Sequence, residues 1–360
     1  MPTLFDPIII GDYRLSNRII MAPMTRGRAE DGAVPGKLME DYYASRAGAG
    51  LIITEATAIS PQGQGWLNAP GIWTDAQEKG WKAVTYAVHA KRGHIFLQLW
   101  HMGRVSHPDF LGGKLPVGAS AIAAQGETNT PIGKKSYVTP HALTVEEIQA
   151  IVEDYASAAK RAMKAGFDGV ELHGANGYLI DQFIRNGSNQ RTDDYGGSLD
   201  NRLRFLIEVA KAVVNVVGAG KVGVRLSPRS HYNDMKDSNP IHTFTRAAEL
   251  LAPLNLAYIH TMEALPGHFF AEEGERVTPH MRKIYQGVLI TNGGYTNKLA
   301  NDALAAGEAD AIAFGVPYLA NPDLVQRFSQ NAPLNSPDFT SFYTPGTKGY
   351  TDYPTMDLKA

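Results

Sequence analysis

Residues 167–183 read FDGVELHGANGYLIDQF, and this stretch says more about the fold than any other part of the chain. Its first part, Phe167–Leu172, is an apolar run of the length and composition typical of a short buried strand. A loop broken by glycines follows it, and His173, Asn176 and Tyr178 all fall at this junction. The pattern therefore predicts a strand that ends in a loop carrying three polar side chains.

These three side chains are of types that act together in carbonyl chemistry. His173 and Asn176 can both donate hydrogen bonds to one oxygen, and Tyr178 carries a transferable proton. Taken alone, the histidine is better explained as structural and the tyrosine is as easily a packing residue. As a set, they indicate a reaction that builds negative charge on an oxygen and then protonates a neighbouring carbon.

Short apolar runs like this one recur along the chain and alternate with amphipathic stretches. Alternating strands and helices predict parallel βαβ units, and eight such strands favour a closed (β/α)8 TIM barrel, an α/β fold, over an open sheet. No repeat or linker divides the chain, so we expect one domain over residues 1–360. The predicted strands are Arg18–Pro23, Gly50–Glu55, His94–Gln98, Asp168–His173, Lys221–Leu226, Ala257–His260, Val288–Asn292 and Ala311–Gly315. The predicted helices are Pro35–Ala47, Asp75–Arg92, Thr144–Ala165, Asp200–Val217, Ile241–Leu251, Thr296–Ala306 and Pro322–Gln330.

Three segments are additions to the strands and helices of an ordinary barrel. Tyr13–Leu15 and its surroundings predict an N-terminal hairpin that caps the barrel floor. Leu99–Leu143 is a long excursion after the third strand, and Tyr232–Pro240 is a shorter, polar one after the fifth. Loops that follow barrel strands lie at the carboxyl-terminal face, where barrel enzymes hold their active sites.

Composition excludes several classes of function. The 360 residues carry a formal net charge of −2 without a basic stripe, which argues against nucleic acid as a partner. With no cysteine, the chain has no disulfide, thiolate metal site, iron–sulfur cluster or cysteine nucleophile. No run approaches the length of a membrane span, and the first residues do not resemble a signal peptide. We expect a cytoplasmic protein with no metal site and no membrane partner.

Polar and glycine residues also gather at the ends of the other predicted strands. A buried Arg225 is costly unless an anionic or electron-rich group meets it, and glycines after strands seven and eight allow backbone N–H groups to approach a phosphate. A flat cofactor such as flavin mononucleotide (FMN) fits this arrangement, with Gln98 and Arg225 at its pyrimidine edge. Aromatic residues can wall the space above it, namely Trp66, Trp100 and Tyr343.

At this point the chain resembles the Old Yellow Enzyme family of flavin-dependent ene-reductases, and the likeness runs nearly end to end. The segments that carry it are residues 17–26 (NRIIMAPMTR), 98–104 (QLWHMGR), 173–183 (HGANGYLIDQF), 191–198 (RTDDYGGS) and 349–354 (GYTDYP). The resemblance implies a barrel with noncovalent FMN that accepts hydride from NAD(P)H. It also implies that the reduced flavin passes hydride to the Cβ of an activated alkene, which is protonated at Cα, with ping-pong kinetics.

The resemblance also assigns roles by position. His173 and Asn176 match the pair that binds the substrate oxygen, and Tyr178 matches the proton donor. Thr25 matches the residue that hydrogen-bonds the flavin in the main branch of the family. The remaining matches are flavin-ring contacts at Pro23, Met24, Ala56, Gln98 and Arg225, and phosphate contacts at Gly294 and Gly315. We also expect Asn292, Gly293 and Val316, at the same two strand ends, to belong to the cofactor site.

Val316 departs from the family pattern, which places an arginine there to pair with the phosphate. The resemblance therefore leaves open whether backbone N–H groups and another cation carry the phosphate, or whether FMN is held less tightly. It also leaves the oligomeric state open between a monomer and a homodimer.

Other functions remain open at this stage. A flavin-dependent nitro or nitrate-ester reductase would use the same residues. A flavin-free lyase or isomerase acting on a phosphorylated substrate would also need phosphate-binding glycines, but it usually needs a lysine or carboxylate base at the barrel mouth. A non-catalytic ligand-binding barrel would not need His173, Asn176 and Tyr178. The related dienoyl-CoA reductases need cysteines, and this chain has none.

Overall fold

The computed structural model describes residues 1–268 and 271–356. Eight parallel strands close into a barrel, because the last strand pairs with the first and the third pairs with the fourth. The barrel strands are β1 (Ile19–Met21), β2 (Leu51–Ile53), β3 (Ile95–Trp100), β4 (Gly169–Gly174), β5 (Val222–Leu226), β6 (Tyr258–Met262), β7 (Leu289–Asn292) and β8 (Ala311–Phe314). The predicted (β/α)8 barrel is confirmed.

Helices follow the strands on the outside of the barrel, and the last two come after β8. They are α1 (Lys37–Ala44), α2 (Asp75–Ala90), α3 (Val145–Lys164), α4 (Leu179–Ile184), α5 (Leu199–Val217), α6 (Pro240–Leu251), α7 (Thr278–Ile284), α8 (Asn297–Ala305), α9 (Val316–Ala320) and α10 (Leu324–Ser329). The start of α3 is a capping box, in which Thr144 accepts a hydrogen bond from the Glu147 N–H and the Glu147 carboxylate accepts one from the Thr144 N–H.

Strand residues alternate between the barrel interior and the layer beneath the helices, as the period of a strand requires. Leu172, Val224 and Ile259 pack outward against the helices. The inward residues at the bottom of the barrel form a separate apolar cluster that includes Phe96 and Tyr258. This lower packing leaves the inward positions nearer the carboxyl ends of the strands to polar side chains.

A hairpin closes the floor of the barrel, as the sequence predicts. Ile8–Ile10 pairs antiparallel with Tyr13–Leu15, and the side chains of Ile10 and Leu15 join the lower interior cluster. The hairpin therefore seals the end of the barrel opposite the predicted site.

The excursion after β3 begins later than the sequence predicts. The strand was expected to end at Gln98, but it continues to Trp100 because the short strand Thr57–Ala58 pairs with Leu99 and Trp100. The excursion then folds into a hairpin, Glu127–Thr130 with Gly133–Ser136, and a parallel pair, Val117–Gly118 with His141–Ala142. The longer strand carries Trp100 to the barrel mouth as a fixed side chain.

Three short helices were not predicted, and each has a local reason. α4, α7 and α9 contain six, seven and five residues, too few to show a helical period. α7 and α9 also have proline in the first turn, which reads as a turn signal in sequence. Over the two described ranges, no helix combines the length and the apolar character needed to cross a membrane.

Candidate active site

The register of three neighbouring strands places three basic side chains side by side at the barrel mouth. His173 on β4 lies opposite Arg225 on β5, and Arg225 lies opposite His260 on β6. All three side chains are buried. We call His173, Arg225 and His260 the upper layer.

Each member of the upper layer has a nitrogen without a partner. His173 Nδ1, Arg225 Nε and His260 Nε2 are buried and make no hydrogen bond, and Trp100 Nε1 nearby is in the same state. Buried polar atoms are normally satisfied, since leaving one unpaired costs about 1–3 kcal/mol. A group of them at one end of a barrel therefore indicates a polar ligand that supplies the missing partners.

Tyr178 packs against this layer. Its ring centre is 4.8 Å from that of His173 and 5.1 Å from that of Trp100, and both contacts are edge-to-face. Burial raises the pKa of Tyr178 well above its ordinary value, so the hydroxyl keeps its proton at neutral pH. Burial, followed by the charge of Arg225, lowers the pKa of His173 well below its ordinary value. The histidine is therefore neutral and can donate from one nitrogen only.

The loop that carries Asn176 is held on both sides of that residue. Asn176 has φ of 57°, a left-handed conformation that asparagine tolerates better than most residues. Its N–H donates to Ser227 Oγ at 2.7 Å, and its carbonyl accepts from Asn233 Nδ2 at 2.8 Å. These contacts fix the backbone of Asn176, whose side chain is half-buried.

A buried ion pair ties this loop to the one after β5. Arg185 Nε donates to Asp181 Oδ1 at 2.8 Å, and both side chains are at most 1% exposed. The other oxygen of Asp181 accepts from the Gly177 N–H at 2.9 Å, while Arg185 also donates to the carbonyls of Ser227 and Ser230. Burial raises the pKa of Asp181, and the nearby Arg185 acts in the opposite direction.

The residues predicted after β1 and β2 lie at the same end of the barrel. Pro23 and Ala56 are buried, whereas Met24 and Thr25 are half-buried. The chain just beyond Thr25 is fixed by Glu55, whose Oε2 accepts from the N–H groups of Arg26 and Gly27 at 3.1 and 3.3 Å. Thr25 therefore sits on an anchored segment.

The residues predicted after β7 and β8 form the opposite side of the mouth. Asn292 Oδ1 accepts from Arg225 at 3.2 Å, and its Nδ2 donates to the Ala313 carbonyl at 2.7 Å. Gly293 has φ of 126°, and a Cβ there would lie 2.7 Å from the backbone of Ala264, so no other residue fits. Gly294 is exposed, and Gly315 and Val316 are half-buried where α9 begins.

The predicted pocket aromatics divide into an inner and an outer set. Trp100 is buried beside Tyr178. Trp66 is half-buried and its ring centre is 5.4 Å from that of Tyr343, which is 59% exposed at the rim. The structure therefore brings Trp66 and Tyr343 together as an outer wall of the pocket, whereas Trp100 and Tyr178 form the inner pair.

Tyr343 belongs to a C-terminal strap, residues 338–356, that two buried arginines hold against the barrel. Arg26 donates to the Gly349 carbonyl at 2.6 Å and its guanidinium lies 5.2 Å from the Tyr350 ring centre. Arg28 donates to the carbonyls of Phe342 and Ser341 at 2.7 and 2.9 Å. These bonds position the outer wall from the segment that follows β1.

Sequence reasoning missed several residues near the site. Tyr137 and Tyr232 lie close enough to Tyr178 that their charges would further raise its pKa, but they come from loops whose course no local pattern predicts. Glu171 and His260 are buried inside the barrel. The sequence could have indicated Glu171, because it lies two positions before His173 on the same strand, and such residues point to the same face of the sheet.

Comparisons with known proteins agree with this geometry. A model of the NADH:flavin oxidoreductase / NADH oxidase family matches residues 3–335. The chain is 44% identical to 12-oxophytodienoate reductase 7 of Oryza sativa subsp. japonica over 371 residues, which cover 98% of this chain and 94% of that protein. It is 45% identical to a Leishmania infantum protein named "Probable flavin mononucleotide-dependent alkene reductase", over 98% of this chain and 97% of that one.

Solved structures give the same result. The old yellow enzyme homologue from Zymomonas mobilis superposes with a TM-score of 0.97 at 47% identity, over 99% of this chain and 100% of that one. Morphinone reductase superposes with a TM-score of 0.95 at 47% identity, over 99% and 97%. A structure of morphinone reductase in complex with tetrahydroNAD matches equally well, with a TM-score of 0.95.

The buried Asp181–Arg185 pair yields a stability test. Arg185→Met leaves the Asp181 charge buried without its partner, so we expect the free energy of unfolding to fall by about 3–5 kcal/mol. Arg246→Met is the matched control, because Arg246 pairs with Asp200 at the surface; its loss should cost about 1 kcal/mol or less. Urea unfolding measures both, and equal losses would contradict the assigned role of the buried pair.

Proposed function

The chain belongs to the Old Yellow Enzyme family, within the NADH:flavin oxidoreductase / NADH oxidase family, and from that premise we propose how its own residues carry out the reaction. The protein is an FMN-dependent ene-reductase that uses NAD(P)H. Membership in this family rules out the flavin-free lyase or isomerase as the main activity. The observation that carries the proposal is the group of unpaired buried nitrogens beside Tyr178.

The residues at the barrel mouth fit FMN. The pyrimidine edge of a flavin offers both hydrogen-bond donors and acceptors, which match the amide of Gln98 and the unpaired Arg225 Nε. Gly293 and Gly294 both have positive φ, so they turn the chain after β7 and can direct backbone N–H groups toward a phosphate, and Gly315 and Val316 complete that side. The remaining contacts of the ring are assigned to Pro23, Met24, Thr25 and Ala56. When bound, FMN supplies the hydride transfer from NAD(P)H to the alkene.

His173 and Asn176 bind the activating oxygen of the alkene. At the barrel mouth His173 is buried and Asn176 is half-buried. Because His173 is neutral, it presents an N–H to the substrate rather than a positive charge. Two donors directed at one oxygen favour the negative charge that develops there during reduction. His173 Nδ1 has no partner within the described part of the protein.

Tyr178 holds the proton that is delivered to Cα. Its raised pKa keeps the Oη–H intact at neutral pH, and its packing against His173 and Trp100 fixes the ring that carries the hydroxyl. Trp66 and Tyr343 form the outer wall and limit the size of the substrate. Because nicotinamide and alkene need the same donors, they occupy the pocket in turn, which gives ping-pong kinetics.

The domain number, cellular location, oligomeric state and substrate range that we propose come from the sequence. We propose that residues 1–360 form one domain, that the enzyme acts in the cytoplasm, and that it is a monomer or a homodimer. The substrates we propose are α,β-unsaturated ketones, aldehydes, imides and nitroalkenes, which share an activating oxygen that His173 and Asn176 can bind.

The function is tested first by the visible spectrum of the purified protein. We expect a yellow protein with one noncovalent FMN per chain, whose colour bleaches when NADPH or NADH is added without oxygen and returns when 2-cyclohexenone follows. A colourless protein that does not take up added FMN would refute the proposal.

Replacing Tyr178 separates protonation from flavin reduction. Tyr178→Phe removes the proton but keeps the ring, so we expect NADPH to bleach the flavin at the normal rate while 2-cyclohexenone turnover falls by about a hundredfold or more. Tyr155→Phe is the control, since the Tyr155 hydroxyl is buried in α3 and makes no hydrogen bond. Stopped-flow absorbance measures each half-reaction, and unchanged enone turnover in Tyr178→Phe would exclude it as the acid.

Val316 allows a test of the phosphate site. A charge-assisted hydrogen bond contributes about 1.5–3 kcal/mol, so Val316→Arg should tighten FMN binding by about ten- to a hundredfold. The gain should shrink as salt is raised, because the new pair is partly screened. The dissociation constant of FMN for both proteins, at low and moderate salt, gives the answer. Equal constants would show that another cation already serves the phosphate.

A further inference from the structure

Glu171 is a buried carboxylate that has no assigned role in binding the substrate, FMN or the transferred proton. It precedes His173 by two residues on β4, so both side chains point into the barrel, and it is fully buried. The register places it opposite Gln98 on β3 and one step below the upper layer. A buried carboxylate is costly unless it is hydrogen-bonded or paired.

Both oxygens of Glu171 bind residues of the site. Oε1 accepts from Gln98 Nε2 at 2.7 Å, and Oε2 faces His260 Nδ1 at 2.9 Å. An ionised carboxylate can only accept hydrogen bonds, so the nitrogen of the Gln98 amide must face it. The carbonyl oxygen of Gln98 is thereby left free. By the same reasoning His260 carries its proton on Nδ1, and its unpaired Nε2 is an acceptor.

Glu171 also acts on Arg225 through space. Burial lowers the pKa of Arg225, and the Glu171 charge is the strongest influence in the opposite direction. The two groups lie in adjacent layers, since Arg225 is opposite His173 and Glu171 is opposite Gly223. Glu171 therefore supplies negative charge one layer below, on the neighbouring strand, to the arginine assigned to the flavin edge.

We propose that Glu171 is a positioning residue that sets both the orientation of Gln98 toward FMN and the reduction potential of the bound flavin. This inference rests on the FMN site of the proposed function. By binding Nε2, Glu171 turns the Gln98 carbonyl toward the ring, where it accepts a hydrogen bond from a ring N–H. By offsetting Arg225, it weakens the preference of the site for the reduced flavin, which carries more negative charge than the oxidised form.

Glu171→Gln removes the charge while keeping the shape. The new amide oxygen still accepts from Gln98, and its nitrogen donates to His260 once that ring moves its proton to Nε2. Without the carboxylate, reduced FMN should bind about tenfold more tightly relative to oxidised FMN, which raises the two-electron potential by about 30 mV. Equilibration with a reference dye during anaerobic reduction measures the shift.

Glu171→Asp separates the hydrogen bond from the charge. It keeps the negative charge but shortens the side chain by one methylene, so it no longer reaches Gln98. We expect oxidised FMN to bind about tenfold more weakly, with a smaller change of potential than in Glu171→Gln. Fluorescence titration of the flavin-free protein with FMN measures the constant. Glu208→Gln removes the same charge from the outer helix α5, and both quantities should stay at the wild-type values.

The outcomes distinguish this inference from the function it rests on. If wild-type protein does not bind FMN or is not bleached by NADPH, the proposed function fails. If the wild-type protein binds FMN and is bleached by NADPH, but Glu171→Gln keeps the wild-type reduction potential, the charge assignment is overturned. If Glu171→Asp binds FMN as wild-type does, the Gln98 assignment is overturned. Thermal melting checks folding. Should Glu171→Gln fail to fold, Glu171→Asp decides both parts, because wild-type FMN affinity overturns the Gln98 assignment and a wild-type potential, with the carboxylate withdrawn by one methylene, overturns the charge assignment.

Discussion

The pairing of β4 with β3 and β5 fixes the register on which nearly every contact of the site depends. It places Gln98 opposite Glu171 and Arg225 opposite His173. A slip of one residue would turn His173 and Glu171 outward and bring Leu172 into the barrel. The apolar residues that face the helices make such a slip costly, since Leu172 and Val224 would lose their packing. Hydrophobic packing outside the barrel thus holds the polar chemistry in place inside it.

Buried charges around the mouth are compensated by a different partner in each case. Asp181 has Arg185, Glu55 has the backbone N–H groups beyond Thr25, and Glu171 has two side-chain donors with Arg225 nearby. In each case the compensated group fixes a loop or side chain assigned to the substrate or to FMN. By contrast, four unpaired buried nitrogens, those of Trp100, His173, Arg225 and His260, lie where the ligands are expected. The site therefore combines satisfied supports with unsatisfied contact atoms.

How far the sequence predicts this arrangement depends on the range of the interactions. The strands, the floor hairpin and the Thr144 capping box follow from local patterns, and the structure confirms them. The predicted end of β3 was wrong because the end depends on pairing with Thr57–Ala58, 42 residues away in the chain. His173, Asn176 and Tyr178 were found because they are close in sequence. The Glu171–His260 contact joins residues 89 positions apart, and no local pattern predicts it.

The strap that carries Tyr343 has a consequence for how the molecule is built. Its contacts with Arg26 and Arg28 join residues more than 300 positions apart, so they close the largest loop in the chain. Loops of this size close late, after the local βα units and their neighbours have formed. During synthesis the barrel can therefore assemble while Tyr343, the later half of the outer wall, is still missing. The residue assigned to limit the size of the substrate is thus among the last to reach its place.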